Sequence, residues 1–229
     1  MTGTLARRAA SEFVGTAFLV MAVIGSGIAA SRLSPNDTGL ALLENSLVTG
    51  AALTALILAL QPVSASFNPV VTLVEVFPGS VRSRDAAVLV AAQFAGGGLG
   101  VVLANLMFDL DAVTLSTQDR SGADLWLAEI VATFGLVLIV FGSLRAERPE
   151  VVALAVGGYI SAAYWFTSST SFANPAVTVA RMFSDTFAGI APVSAPAFVV
   201  CQLIGGALGL AVVRWLFPHP RVHEREYAA

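Results

Sequence analysis

Two asparagine–proline pairs, Asn68-Pro69 and Asn174-Pro175, carry the polar side chains best suited to bind the same molecule through hydrogen bonds. Asparagine is a good N-cap and proline is favoured at the first helical position, so each pair predicts the start of a helix. Each side-chain amide can also donate hydrogen bonds to the oxygen of a solute. The two pairs therefore favour contact with a neutral, hydrogen-bonding molecule.

The sequence contains no set of residues that is typical of an enzyme. Its one cysteine is Cys201, and its two histidines, His219 and His223, lie in the polar C-terminal tail. These counts exclude an internal disulfide framework and a cysteine-rich metal site. No nucleophile–base set is present either, so we predict neither catalysis nor a cofactor or metal. A net charge of -3 provides no basic surface for nucleic acid.

The elements that hold the two pairs are predicted to be membrane helices. Apolar residues make up 56% of the 229 residues and charged residues 12%, whereas soluble domains have about 45–50% and about 25%. The mean hydropathy is +0.81. A transmembrane helix needs about 20 mostly apolar residues. Candidate runs are 13–30, 45–74, 86–108, 125–144, 151–180 and 186–213, the last with a helix start in the mid-190s because of its prolines.

The two runs 45–74 and 151–180 are longer than one span requires, and each is interrupted by its asparagine–proline pair. A full helix followed by a half-helix fits each run. We therefore predict an all-α membrane protein with six transmembrane helices and two re-entrant half-helices, from Asn68 to about Phe77 and from Asn174 to about Ser184. A cleaved signal peptide is an alternative for the run 13–30, since Arg7 and Arg8 precede it.

An internal repeat argues against that alternative, because the repeat needs the first run as a helix. The second asparagine–proline box follows the first by 106 residues, and both continue with similar residues. Further matches join 12–16 to 129–133, 93–97 to 202–206, and 64–67 to 169–172. Each copy holds three full spans, an odd number, so the repeat is inverted in the membrane.

The repeat predicts a single channel domain, 1–229, with copies at about 10–108 and 124–217 and a cytoplasmic tail at 218–229. Arginines cluster before the first and third spans, after the fourth and in the tail. The positive-inside rule then makes both termini cytoplasmic. The two half-helices meet head to head at the membrane midplane, where their positive ends repel cations. The predicted midplane residues are Asn68, Pro69, Val70, Asn174, Pro175 and Ala176.

With its paired boxes, its glutamates in spans one and four and its glycine-rich spans three and six, the chain resembles the major intrinsic proteins, the aquaporins and aquaglyceroporins. The resemblance covers about residues 10–217. It implies the aquaporin-like fold, one pore per subunit and a homotetramer. It also implies that Glu12 and Glu129 are buried structural supports that accept hydrogen bonds from loop amides.

The chain departs from the family at the positions that select the solute. The family usually has arginine directly after its second box, where this sequence has Val177. Comparison with the family gives a filter of Thr49, Ala163, Phe172 and Val177. For Thr49 and for Ala163, the residue adjacent in the sequence is an alternative. Arg181 follows one turn later. We expect Arg181 to reach water or headgroups at the helix end, and the alternative is that it partly replaces the missing charge.

These features predict a passive channel for small uncharged solutes in a bacterial inner membrane. The resemblance is nearest to the aquaglyceroporins associated with arsenic resistance. It implies glycerol-like polyols, water, undissociated arsenite and methylated arsenicals as permeants. A water-selective aquaporin is the alternative within the family. A coupled secondary transporter is the alternative outside it, although no ionisable residue beyond the two glutamates is expected in the passage. A closed structural junction protein is a third possibility.

Overall fold

The computed structural model describes residues 3–145, 148 and 151–217, so the predicted cytoplasmic tail lies outside the described residues. The described part of the chain contains eight α-helices and no strand. The helices are α1 (Leu5–Leu33), α2 (Thr38–Leu60), α3 (Pro69–Val76), α4 (Ser83–Met107), α5 (Ala123–Arg145), α6 (Val152–Phe166), α7 (Pro175–Arg181) and α8 (Ala195–Leu216). The predicted all-α architecture is confirmed.

Five of the described helices, α1, α2, α4, α5 and α8, are long and apolar enough to cross a membrane. Helix α6 has 15 residues and rises about 22 Å at 1.5 Å per residue, so it is shorter than the full span predicted for it. Helix α8 begins at Ala195, where the prolines of the sequence predicted its start. Apart from the short α6, the order of long and short helices is the predicted one.

The two short helices, α3 and α7, begin at the prolines of the two asparagine–proline pairs. Asn68 caps α3, with its Oδ1 accepting from the backbone N–H of Val70 at 2.9 Å. Asn174 caps α7 in the same way, accepting from Ala176 at 3.0 Å. Helix α7 ends at Arg181, earlier than the predicted end near Ser184.

Glycines let the long helices of each half pack closely. A Cβ added to Gly96 of α4 would collide with the carbonyl oxygen of Phe13 in α1. The equivalent Gly205 of α8 meets the carbonyl oxygen of Ile130 in α5 in the same manner. The two halves of the chain thus share an equivalent glycine contact, at positions that the sequence repeat matches.

The half-helices lie between the two copies of the repeat. Helix α3 packs against α4 of its own copy and α8 of the other, and α7 packs against α8, α4 and α1. Helices α3 and α7 also contact each other. The first turns of both short helices are thus buried in protein, as the non-helical loops that precede them must be inside a membrane.

Candidate functional site

The two cap asparagines reach across the contact between the copies. Asn68 Nδ2 donates to the carbonyl oxygen of Ala173, and Asn174 Nδ2 donates to that of Phe67, each at 2.7 Å. An asparagine amide carries two N–H donors. One donor of each is therefore used between the copies, which the sequence did not indicate, and one is left for a molecule in the cavity described below.

The residue before each asparagine has an unusual backbone conformation. Phe67 and Ala173 have φ angles of 47° and 48°, in the left-handed region. Such a conformation costs about 1–3 kcal/mol for a residue other than glycine and persists where neighbouring groups fix it. The N–H of Phe67 donates to Glu12 Oε2 at 2.7 Å, and that of Ala173 donates to Glu129 Oε2 at 2.9 Å. The glutamates thus hold the two strained loops.

Each glutamate is completely buried and accepts several further hydrogen bonds. Glu12 Oε1 accepts from the backbone N–H of Ser66 at 2.9 Å, and Glu129 Oε1 accepts from that of Phe172 at 2.9 Å. A serine hydroxyl in each loop, that of Ser64 or Ser169, donates to the same oxygen. With these acceptor sites filled, both carboxylates are suited to support the loops.

These contacts correct one detail of the repeat. The sequence match paired Phe67 with Phe172, but the structure makes Phe67 equivalent to Ala173, and Ser66 equivalent to Phe172. The second loop has one more residue between its serine and its asparagine. Phe172 therefore has no aromatic counterpart in the first loop.

A cavity of about 790 Å³ runs past both asparagines. One end, here called the α3 end, includes Gln61, Glu75 and Pro78, and the other, the α7 end, includes Phe172, Val177 and Arg181. Apolar side chains line much of the length between them, among them Leu19, Val23, Leu53, Leu136, Val140 and Val156. An apolar passage with a few polar groups suits small neutral molecules.

Of the six residues predicted at the midplane, the two asparagines line this cavity. Pro69, Val70, Pro175 and Ala176 are buried and form the first turns of the half-helices, and they are not part of the lining. Val71 and Ala173 line the cavity beside the asparagines instead.

The structure brings three of the four predicted filter residues to the cavity, namely Thr49, Phe172 and Val177. Ala163 is fully buried and does not line it. The next residue, Tyr164, does, and its hydroxyl lies 3.2 Å from Thr49 Oγ1. One residue along a helix turns the side chain by about 100°, which decides whether it faces the cavity. Tyr164 therefore replaces Ala163 in the predicted set.

Arg181 does not extend from the helix end to the outer surface of the protein, contrary to expectation. It lines the cavity, its exposed fraction is 2%, and its guanidinium carbon lies 3.3 Å from the centre of the Phe172 ring. Its Nε donates to the carbonyl oxygen of Ala188, in the segment that follows α7 and folds over the side chain. Glu75, at the α3 end, is partly buried and accepts from Ser66 Oγ at 3.0 Å.

Comparison with known families matches residues 2–167 to the major intrinsic protein family. The chain belongs to this family. Aquaglyceroporin AqpS of Rhizobium meliloti is 49% identical over 218 residues, which are 95% of this chain and 93% of that protein. Probable aquaporin AqpM of Archaeoglobus fulgidus is 29% identical over 95% of this chain and 98% of its own length.

Among solved structures, that of the aquaglyceroporin from Plasmodium falciparum superimposes with a TM-score of 0.67 and 18% identity. The superposition covers 93% of this chain and 96% of the Plasmodium falciparum chain, and it shows that the two proteins share a fold. Members of the major intrinsic protein family are channels and not enzymes. This major intrinsic protein is accordingly a membrane channel for water and small neutral solutes.

Two glutamines complete the supports of this major intrinsic protein, and no role was predicted for them. Gln93 Nε2 donates to Glu12 Oε2 and to Thr72 Oγ1, both at 2.8 Å. Gln202 Nε2 donates to Glu129 Oε2 at 2.6 Å and to Thr178 Oγ1 at 2.8 Å. Each glutamine ties a glutamate to a half-helix. The repeat could have indicated this role, since both glutamines and both threonines occupy matched positions in the two copies.

The loop between α4 and α5 also contributes to the α7 end through Arg120. Its Arg120 lies with the guanidinium carbon 5.1 Å from the centre of the Phe172 ring and donates to the carbonyl oxygens of Gly189 and Phe187. Hydrogen bonds from Ser121 and Ser194 hold the pKa of the neighbouring Asp119 below its usual value. No spacing or motif in the sequence indicated that Arg120 packs inward.

Proposed function

We propose that this channel conducts glycerol-like polyols and other small uncharged solutes passively, with undissociated arsenite and methylated arsenicals among its permeants. The observation that carries the proposal is the valine at position 177, which lines the cavity where the family usually has arginine. A short apolar side chain leaves cross-section for solutes wider than water. The name aquaglyceroporin, given to the relative AqpS, agrees with this assignment.

The proposed filter consists of Thr49, Tyr164, Phe172 and Val177. The hydroxyls of Thr49 and Tyr164 are 3.2 Å apart and offer a polar wall that can exchange hydrogen bonds with a solute hydroxyl. Phe172 and Val177 offer an apolar surface to the carbon backbone of a polyol. At the centre, the second N–H of each asparagine, Asn68 and Asn174, orients the solute oxygen.

We also propose an oligomeric state and a membrane for this channel. The channel lies in the bacterial inner membrane with both termini in the cytoplasm, so that the α3 end of the cavity is cytoplasmic and the α7 end is external. Large apolar side chains on the outer helix faces, such as Phe18, Leu47 and Leu127, suit contact with lipid or with other subunits. The assembly is a homotetramer with one pore in each subunit.

A water-selective channel is the second candidate, and Tyr164 favours it. A tyrosine occupies more of the filter than the alanine that the sequence predicted, so the filter is narrower than one lined by Ala163. The two candidates differ in the solutes that they pass and agree that transport needs no driving ion.

Stopped-flow measurements on proteoliposomes test the proposal. We expect permeation of water, glycerol and arsenite above that of protein-free vesicles, with rates unchanged when sodium and proton gradients are collapsed. Fast water permeation without glycerol or arsenite permeation would establish the water-selective candidate instead. Solute uptake that stops when an ion gradient is removed would contradict passive conduction.

A further inference from the structure

Arg181 is a buried cation whose charge is not paired with a carboxylate among the described residues. The salt bridge found among the described residues joins Arg84 and Asp85, which are far from Arg181 in the sequence. A guanidinium has five N–H donors. In the described structure, the protein accepts one hydrogen bond from Arg181, at Nε, through the carbonyl of Ala188. The two terminal nitrogens therefore depend on molecules in the cavity for their hydrogen bonds.

The position of this guanidinium is fixed from several sides. The Phe172 ring lies against its face at 3.3 Å. Phe172 is itself held by its backbone hydrogen bond to Glu129 and by an edge contact with Phe198, with ring centres 5.2 Å apart. A cation against an aromatic face is stabilised by the ring's electrons, more so where water is excluded. The charge is thus held in place at the cavity wall.

Along the cavity, Arg181 is the charged lining residue at the α7 end. Glu75 and Arg145, the other charged side chains of the described lining, lie at the α3 end. Val177 lies four residues before Arg181, about one helical turn nearer the asparagines, and carries no charge. A solute that passes the α7 end must therefore pass the Arg181 guanidinium.

We propose that Arg181 is the residue that excludes cations, hydronium included, at the α7 end of this channel. A fixed positive charge in a pore one solute wide raises the energy of a passing cation and leaves a neutral solute unaffected. Arg181 thereby supplies, one turn away, the charge that Val177 does not. The inference rests on the proposed function, because it assumes that solutes cross at the α7 end.

The experiment compares three variants in proteoliposomes with matched protein content. Arg181→Met removes the charge and keeps the length of the side chain, while Arg181→Gln removes the charge and keeps a donor for the Ala188 carbonyl. Arg120→Met is the control, since Arg120 stacks on the same Phe172 ring and binds the same segment but does not line the cavity. Proton entry is followed with an internal pH dye, potassium flux under a clamped voltage, and glycerol entry by light scattering.

We expect at least a tenfold rise in proton or potassium flux in both Arg181 variants, the factor that corresponds to about 1.4 kcal/mol in the barrier. Glycerol entry should persist in both Arg181 variants. The proton and potassium fluxes of Arg120→Met should equal those of the parent channel. Unchanged cation flux in Arg181 variants that still conduct glycerol would overturn the inference. So would loss of all permeation in both while Arg120→Met conducts, because Arg181 would then be a structural residue. A parent channel that conducts no glycerol would instead contradict the proposed function.

Discussion

Val177 is 5% exposed, and that small exposed surface belongs to the cavity wall. Replacing it with arginine adds a long charged side chain to the cavity wall, one turn from Arg181 and at the end that also includes Phe172. We predict that Val177→Arg lowers glycerol and methylated-arsenical permeation roughly tenfold or more, a barrier increase of about 1.4 kcal/mol, and lowers water permeation far less. Stopped-flow swelling of proteoliposomes measures all three.

Two further variants show whether the effect is steric. Val177→Leu adds bulk without charge and should reduce glycerol permeation only modestly. Adding Phe172→Ala to Val177→Arg removes a ring from the same cross-section, so we expect partial recovery of the larger solutes. A Val177→Arg channel that passes glycerol as fast as the parent would place Val177 away from the constriction.

Among the elements, the contact between α4 and α1 depends on a glycine at the point of closest approach. Gly96 and Gly98 lie two residues apart on α4 but on different faces. A Cβ on Gly96 would meet the backbone of Phe13, whereas a Cβ on Gly98 would meet nothing within 4 Å. The close approach of these helices therefore depends on one glycine face and not on the glycine content of the helix.

We predict that Gly96→Ala destabilises the protein by about 1–3 kcal/mol, the usual cost of overpacking, because the Phe13 backbone cannot move aside without shifting α1. Gly98→Ala should be neutral or stabilise by up to about 1 kcal/mol through helix propensity. The free energy of unfolding in mixed detergent micelles, followed by circular dichroism, measures both. Equal stability of the two variants would show that α1 and α4 are not in close contact.

For the whole molecule, the proposed orientation places α4's first turn in the cytoplasm and the α4–α5 loop outside. Both regions offer exposed side chains, Arg84 with 77% of its side chain exposed and Asp111 in the loop. The chain has a single cysteine, Cys201, so a Cys201→Ser background leaves only the cysteine that is introduced.

In that background we predict that a membrane-impermeant maleimide labels Asp111→Cys in intact spheroplasts and labels Arg84→Cys only after permeabilisation. The reason is the excess of arginine on the side that holds Arg84, which the positive-inside rule assigns to the cytoplasm. Labelling is read by the mass shift of the purified protein. The reverse pattern would invert the topology and exchange the two ends of the cavity.

Features that depend on local or periodic signals could be predicted from the amino-acid sequence alone. The uncharged runs determined that the chain is a bundle of apolar helices, because burial in lipid requires them. The asparagine–proline pairs determined where α3 and α7 begin, because a cap and a fixed proline φ act within one turn. The matched segments indicated the repeat, and with it the equivalence of Glu12 and Glu129.

Contacts between side chains from distant segments could be read only from the folded chain. Ala163 and Tyr164 exchange roles because the rotation of α6 is set by its packing against α2, which no local pattern records. Arg181 is buried because the segment containing Ala188 returns over α7 and accepts its hydrogen bond, and Phe172 covers its face. The inward position of Arg120 likewise depends on carbonyls about 70 residues away, at Phe187 and Gly189. Contacts of this kind bring together groups far apart in the chain, and the composition and spacing near each residue do not specify them.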